Sequence, residues 1–262
     1  MNAPVVRNAV KERLACGEVA SSMTVRLTRG VEIASLAKAA GFDSLYIDLE
    51  HSALSLETTS QICIAALEAG VAPFARVPQV ELIQRVLDGG ALGIIAPDIR
   101  NADEARAVVQ AAKYPPQGTR GFASILPHFG YRSLPASQTY TALNDATMVI
   151  VQFESAESIE RCEEIFAVEG VDMALFGTND LTADMGIPGD YQNPRVREAY
   201  ARAIAAAKKH GKHVGVGGLA SQPKLTAEFV KMGARYVSTG TDLGFLLSAA
   251  TESAKQVRAL EI

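Results

Sequence analysis

Short β-rich runs alternate with helical patterns from one end of the chain to the other, and this rhythm limits the possible folds more than any single motif does. Strands are expected near 19–25, 44–49, 72–77, 93–97, 147–153, 172–176, 213–217 and 235–239. Helical patterns lie between them at 56–69, 80–88, 102–112, 155–165, 196–210 and 222–232. Gly70, Gly89, Gly211 and Gly233 fall where helices stop, a position that favours a left-handed residue. No linker-like stretch breaks the pattern, so residues 1–262 read as one domain. Eight βα units make an α/β fold of the (β/α)8 TIM-barrel type. An open doubly wound sheet is the alternative, but it usually carries a Gly-rich phosphate turn after its first strand, and "SSMTVRLTRG" has none.

Composition narrows the function. With 48% hydrophobic and 21% charged residues the chain can bury a large core. Its formal charge of −4 is spread out, with no basic run or aromatic-basic stripe, so neither nucleic acid nor an anionic membrane surface is an expected partner. A small molecule is the default ligand. The N-terminal "MNAPVVRNAVKERLACGE" breaks every apolar run with charge and no segment is long enough to span a bilayer, which predicts a cytoplasmic protein. Cys16, Cys63 and Cys162 are isolated and receive no catalytic role.

Catalytic residues of such barrels sit at the C-terminal ends of the strands, so position filters chemistry. The run "LYIDLEHSAL" places Asp48, Glu50 and His51 at the top of the second strand, and burying such charges demands compensation. The third strand ends in Arg76, the fifth in Gln152 and Glu154, and the sixth runs into "LFGTNDL" with Asp180. Taken singly, Arg76 could simply neutralise Glu50 or Glu154, and His51 could be an ordinary hydrogen-bonded histidine. Their convergence on one rim points instead to substrate or metal. Glu154 and Asp180 stand on adjacent strands, where two carboxylates repel unless protonated or bridged by a cation. A hard ion such as Mg²⁺ or Mn²⁺ suits that pair, and no set of His and Cys ligands suggests zinc. Arg76 offers a planar fork for a carboxylate or phosphate. Amides of Gly177, Thr178, Asn179 and Asp180 could add donors at the same rim. The segment Tyr114–Ser137 is too long for an ordinary connection and reads as a lid or a subunit contact.

Stabilising a carbanion beside a carbonyl needs an electron sink, either a lysine Schiff base or a metal. Every lysine falls on a predicted helix, at a helix end, or, for Lys212, before the seventh strand. None stands at a strand top, which favours metal-assisted handling of a 2-oxo acid, with His51 moving the proton and Asp48 or Glu50 orienting it.

The ordered set "GFDSLYIDLEHS", "FARVP", "NADEARAVVQAAKYPPQGTRG", "VQFES" and "VEGVDMALFGTNDLTADMG" resembles the HpcH/HpaI aldolases over nearly the whole chain. That resemblance implies a class II, metal-dependent carbon–carbon lyase that reversibly cleaves a 4-hydroxy-2-oxo acid to pyruvate and an aldehyde. By the same resemblance Glu154 and Asp180 match the metal ligands, for Mg²⁺ or Mn²⁺ with Co²⁺ as a further option. Arg76 matches the group that binds and polarises the oxo acid, Gln152 a substrate hydrogen bonder, and His51 the base acting with Asp48. Asp88 resembles an aspartate that reaches a neighbouring subunit's site, and a homohexamer with helices exchanged between pairs is implied. The chain departs from the family pattern in "DLEH" for "DGEH", in "GTNDLT" for "GPADLS", and in Gly217 and Gly218, where larger residues usually face the aldehyde. These glycines suggest a roomier pocket. A citrate- or malyl-CoA-type lyase, a phosphate cradle at Ser238–Asp242, and a non-catalytic ligand-binding barrel stay open as alternatives.

Overall fold

A computed structural model describes residues 6–260 and shows a closed barrel of eight parallel strands in sequential order. The strands are β1 (Ala20–Val25), β2 (Ser44–Asp48), β3 (Ala72–Arg76), β4 (Gly93–Ala96), β5 (Met148–Phe153), β6 (Met173–Gly177), β7 (His213–Gly217) and β8 (Tyr236–Thr241). Each follows its expected position within about two residues, and β8 pairs back to β1 to close the ring.

Side-chain alternation then decides what meets inside. On β2, Leu45 and Ile47 pack outward against the helices while Tyr46 faces the interior with Phe74, Ile95, Ile150 and Leu175. Two residues further along the same face the interior positions become polar: Asp48, Arg76 and Gln152. The register pairs Asp48 directly with Arg76, so the apolar filling ends and the charged rim begins in one layer. At the other end the helix Ala9–Ala15 plugs the barrel with Val10 and Leu14, and Asn8 holds it there by donating to the Ala146 carbonyl at 2.8 Å.

Several expectations are revised. Gly70 and Gly211 are left-handed helix stops and Gly233 also has positive φ, but Gly89 is right-handed and the turn is made by Gly90 at φ 111°. The helix expected at 155–165 breaks at Arg161 into Ala156–Glu160 and Cys162–Phe166. The segment after helix Ala102–Ala112 joins it to helix Ala136–Ala146 and so to the start of β5, at the N-terminal end of the barrel. Its His128 donates from Nε2 to the Ala91 carbonyl at that end, at 3.1 Å, and its Arg120 holds Asp88 at 2.7 Å. It therefore does not cover the rim formed by the C-terminal ends of this chain's own strands. The last helix, Asp242–Arg258, has one buried residue, Asp242, and leaves Leu243, Phe245, Leu246, Leu247 and Val257 exposed.

Candidate active site

Asp48 is the centre of the rim. Its carboxylate is fully buried and accepts from Arg76 through Nε at 2.8 Å and Nη2 at 2.6 Å, a two-pronged pair across the β2–β3 register. Arg26, two residues beyond Thr24 on the interior face of β1, donates its Nε to Oδ2 of the same carboxylate at 2.6 Å. The amides of Glu50 and His51 close on Oδ1 at 3.0 and 3.2 Å. Burial pushes this carboxyl up, but the Arg76 hydrogen bonds and charge more than reverse it, leaving it at about 2. Burial likewise opposes the Arg76 charge, and Asp48 restores it.

The expected contact between Asp48 and the His51 ring is not made. Asp48 holds the main-chain amide of His51, while the imidazole stands half exposed with Nε2 3.8 Å from Glu50 Oε2. Any orienting effect of Asp48 on the ring passes through the turn. The physical reason is desolvation: a buried carboxylate is satisfied first by the buried guanidinium that faces it. Leu49 has an ordinary negative φ, so the position needs no glycine to make this turn. Glu50 Oε2 forms an ion pair with Arg76 Nη1 at 2.8 Å, so all three guanidinium nitrogens of Arg76 face carboxylates.

On the opposite wall Glu154 is pinned by Gln152 Nε2 at 2.6 Å and by the Asp98 amide at 3.0 Å. A Cβ on Gly177 would collide with the Glu154 carboxyl, which explains why the strand end there lacks a side chain. Burial, with help from Asp180 and Glu50, pushes the Glu154 carboxyl up to about 7 although the Asp98 amide lowers it. Gln152 Oε1 is buried with no hydrogen-bond donor among the described residues. Glu50, His51, Asp98, Glu154, Asp180 and Asp184 share one hollow of about 310 Å³. Among the described residues, however, no group of three His, Cys, Asp or Glu is drawn into a ready metal cage. Two carboxylates beside an unsatisfied amide oxygen fit a hard cation that keeps open positions for water and substrate oxygens.

A larger cavity of about 720 Å³ adjoins this wall and reaches from Arg76, Gln152 and Asp180 across to Arg26, Ser221 and Ser238. No lysine lines it. Lys113, which burial lowers to about 8, caps the carbonyls of Asn144 and Thr147 at the other end of the barrel. Thr178 is a staple between strands, donating to the Gly217 carbonyl at 2.7 Å with Tyr200 Oη at 2.8 Å, and Asn179 Oδ1 accepts from Tyr191 at 2.7 Å. Asp88 sits before β4, at the end remote from this rim.

The two glycines after β7 serve backbone approach as well as space. A Cβ at Gly217 would lie 2.6 Å from the Phe176 carbonyl, and Gly218, at φ 78°, would press on the amides of Asn179 and Thr178 at 3.2 and 3.3 Å. The phosphate-cradle reading of Ser238–Asp242 also changes. Asp242 accepts from the amides of Arg26, Leu27, Thr28 and Leu243, and Thr241 caps the Gly244 amide at 2.9 Å. Those side chains fill the places a phosphate would need.

Sequence reasoning missed two residues at strand ends, Arg26 after β1 and Asp98 after β4. Both obey the positional filter applied to the other strands. Asp98 additionally adopts φ 51°, rare for a residue with a side chain, while aiming its amide at Glu154.

A sequence profile described as HpcH/HpaI aldolase/citrate lyase matches residues 22–249. The 4-hydroxy-4-methyl-2-oxoglutarate aldolase tasA of Hapsidospora irregularis is 39% identical over 97% of this chain and 96% of its own. The 4-hydroxy-2-oxo-heptane-1,7-dioate aldolase of Shigella boydii is 34% identical over 94% of this chain and 93% of its own. Among solved structures, an HpcH/HpaI aldolase from Desulfitobacterium hafniense superposes with a TM-score of 0.91 at 29% identity, covering 97% of this chain and 98% of that one. The barrel, its polar rim and these likenesses together place the chain in the HpcH/HpaI aldolase/citrate lyase family.

Proposed function

We propose that this chain is a class II pyruvate aldolase. It would reversibly cleave a 4-hydroxy-2-oxo acid into pyruvate, or a related 2-oxo acid, and a carbonyl partner. The observation that carries this reading is the placement of the buried Arg76 fork, held by Asp48, on the same rim as the carboxylates Glu154 and Asp180, with no lysine lining the adjoining cavity among the described residues. The curated relatives, both aldolases by name, support the same reaction type.

Glu154 and Asp180 would hold a divalent cation, Mg²⁺ or Mn²⁺, which when bound supplies the electron sink for a carbanion beside a carbonyl. Arg76, kept in place by Asp48 and Glu50, presents its remaining N–H groups to the oxo acid. Gln152 positions the substrate from the side of Glu154. His51, half exposed at the edge of the site, takes the proton from the 4-hydroxyl in cleavage and returns one in synthesis. Asp48 sets the turn from which that ring projects. Amides at Gly177–Asp180 are further donors.

The whole barrel acts as one catalytic unit in this reading. The exposed apolar face of helix Asp242–Arg258 supports helix exchange between subunits of a homo-oligomer, taken here as a hexamer. Asp88, held by Arg120 away from its own rim, is then available to a neighbouring site. Among the described residues no helix is long and apolar enough to cross a membrane, in keeping with a cytoplasmic location.

The test is a lactate dehydrogenase-coupled pyruvate assay over a panel of 4-hydroxy-2-oxo acids and citramalyl-CoA, a malyl-CoA-type thioester whose cleavage also releases pyruvate, with and without chelator. Chelator-sensitive pyruvate release from the hydroxy-oxo acids, restored by Mn²⁺ or Mg²⁺, is expected. Turnover of the thioester alone would replace the aldolase by the CoA-lyase reading.

A further inference from the structure

We propose that Arg26 is a specificity residue that receives the carboxylate of the electrophile, so that the carbonyl partner of this enzyme is itself an anion. The inference deepens the aldolase reading and rests on it for the position of the oxo acid.

Three observations lead there. First, Arg26 and Arg76 share one carboxylate, but only Arg76 has a second: Glu50 lies 2.8 Å from Arg76, whereas among the described residues Asp48 is the one acid within ion-pair distance of Arg26. Arg26 therefore has no carboxylate that it does not share with Arg76. Secondly, the side chain of Arg26 is 36% exposed against 3% for Arg76, and it lines the 720 Å³ cavity that also contains Arg76, Gln152 and Asp180. Its Nε is engaged by Asp48, and its two terminal nitrogens have no hydrogen-bond acceptor among the described residues. Thirdly, Asp242, the first residue after β8, gives its oxygens to four backbone amides, including that of Arg26 itself, and makes no ion pair with the guanidinium.

A guanidinium fixed through Nε and lining a cavity, with its terminal N–H groups uncommitted, is the geometry that binds a carboxylate through two parallel N–H bonds. Hydroxyls of Ser221 and Ser238 on the same cavity wall offer further donors. The oxo acid, held between Arg76 and the Glu154–Asp180 wall, occupies one side of the cavity. An electrophile carrying its own carboxylate would fill the other side with that group on Arg26. The names of both curated relatives already denote dicarboxylic 4-hydroxy-2-oxo acids; what the geometry adds is the residue, Arg26, that would read the distal carboxylate in this chain, where cleavage yields a 2-oxo acid and either a second 2-oxo acid or an aldehyde acid.

The experiment compares two non-cleavable probes by calorimetry on the Mg²⁺-loaded protein: 2-oxoglutarate, and 2-oxopentanoate, which has the same chain length but no distal carboxylate. Wild type is expected to favour the dicarboxylate by about 10- to 100-fold, the usual worth of a charge-assisted pair. Arg26→Gln should abolish that preference while leaving 2-oxopentanoate binding within about threefold, and Arg26→Lys should restore part of it. An unchanged preference in Arg26→Gln, or none in wild type, overturns the proposal. Equal loss of both probes would make Arg26 only a support for Asp48, which also overturns it. The pyruvate assay reports separately: absence of cleavage with intact discrimination between the probes would remove the aldolase reading and keep the anion site.

Discussion

Arg26 and Arg76, from β1 and β3, donate to one and the same oxygen, Oδ2 of Asp48 on the strand between them, each at 2.6 Å. Two like charges tolerate such closeness only while the shared carboxylate stays ionised. The rim of this barrel therefore depends on Asp48 before any substrate arrives.

Asp48→Asn should lower stability by about 3 kcal/mol, the usual cost of leaving a buried cation without its partner, and urea unfolding measures it. The sign of the pH effect follows from the direction of the shift. The folded carboxyl, at about 2, lies below its unfolded value near ~3.9, so its contribution is complete above that value and fades as pH falls toward 2. The gap between wild type and Asp48→Asn should accordingly narrow between about pH 4 and pH 2. A gap that is constant through that window would show that Asp48 does not carry the charge assigned to it.

Metal binding should depend on pH in the opposite range. Glu154 titrates at about 7 in the metal-free protein and must lose its proton to act as a ligand. Calorimetric affinity for Mn²⁺ is expected to weaken as pH drops below 7, and the heat at pH 7 should vary with buffer ionisation enthalpy because protons are released. Glu154→Gln should weaken binding by at least tenfold and remove the proton release. Tight, buffer-independent binding would place the ion elsewhere.

His51→Ala should slow deuterium exchange at the methyl group of pyruvate by about 10²-fold or more, the typical worth of a positioned base, with Mn²⁺ affinity unchanged. Proton NMR follows the exchange directly. Because the ring is half exposed and bound to no acid closer than 3.8 Å, its removal should leave the melting temperature within a degree or two of wild type.

Helix Asp242–Arg258 exposes Leu246 and Leu247 at 60% and 64%. If a second subunit covers them, the double substitution Leu246→Glu, Leu247→Glu should shift light-scattering mass to a smaller species while circular dichroism keeps the barrel signature. An unchanged mass would locate the subunit contacts on another face.

Much of this site could be read along the chain because barrel geometry turns strand position into spatial position. Asp48, Arg76, Gln152 and Glu154 lie at strand ends on the inward-facing parity, and two-residue alternation predicts that they share a rim. The same rule would have found Arg26, which stands two residues past Thr24 on the inner face of β1. Pairing was not legible in this way. Asp48 precedes His51 by three residues, and local spacing suggests that they touch; the register instead sets Asp48 opposite Arg76, and desolvation makes that the stronger bond.

By itself, then, the sequence determined the eightfold alternation, the apolar interior and the identity of the residues at the catalytic end, because each of these depends on periodicity and local turn chemistry. Tertiary structure decided which charge answers which. It gave Asp48 to two arginines, left Arg26 facing the cavity, filled the would-be phosphate cradle with Asp242 and its amides, and carried the Tyr114–Ser137 segment to the far end of the barrel. Those outcomes depend on strand register and burial, through which residues distant in sequence come to share one low-dielectric space.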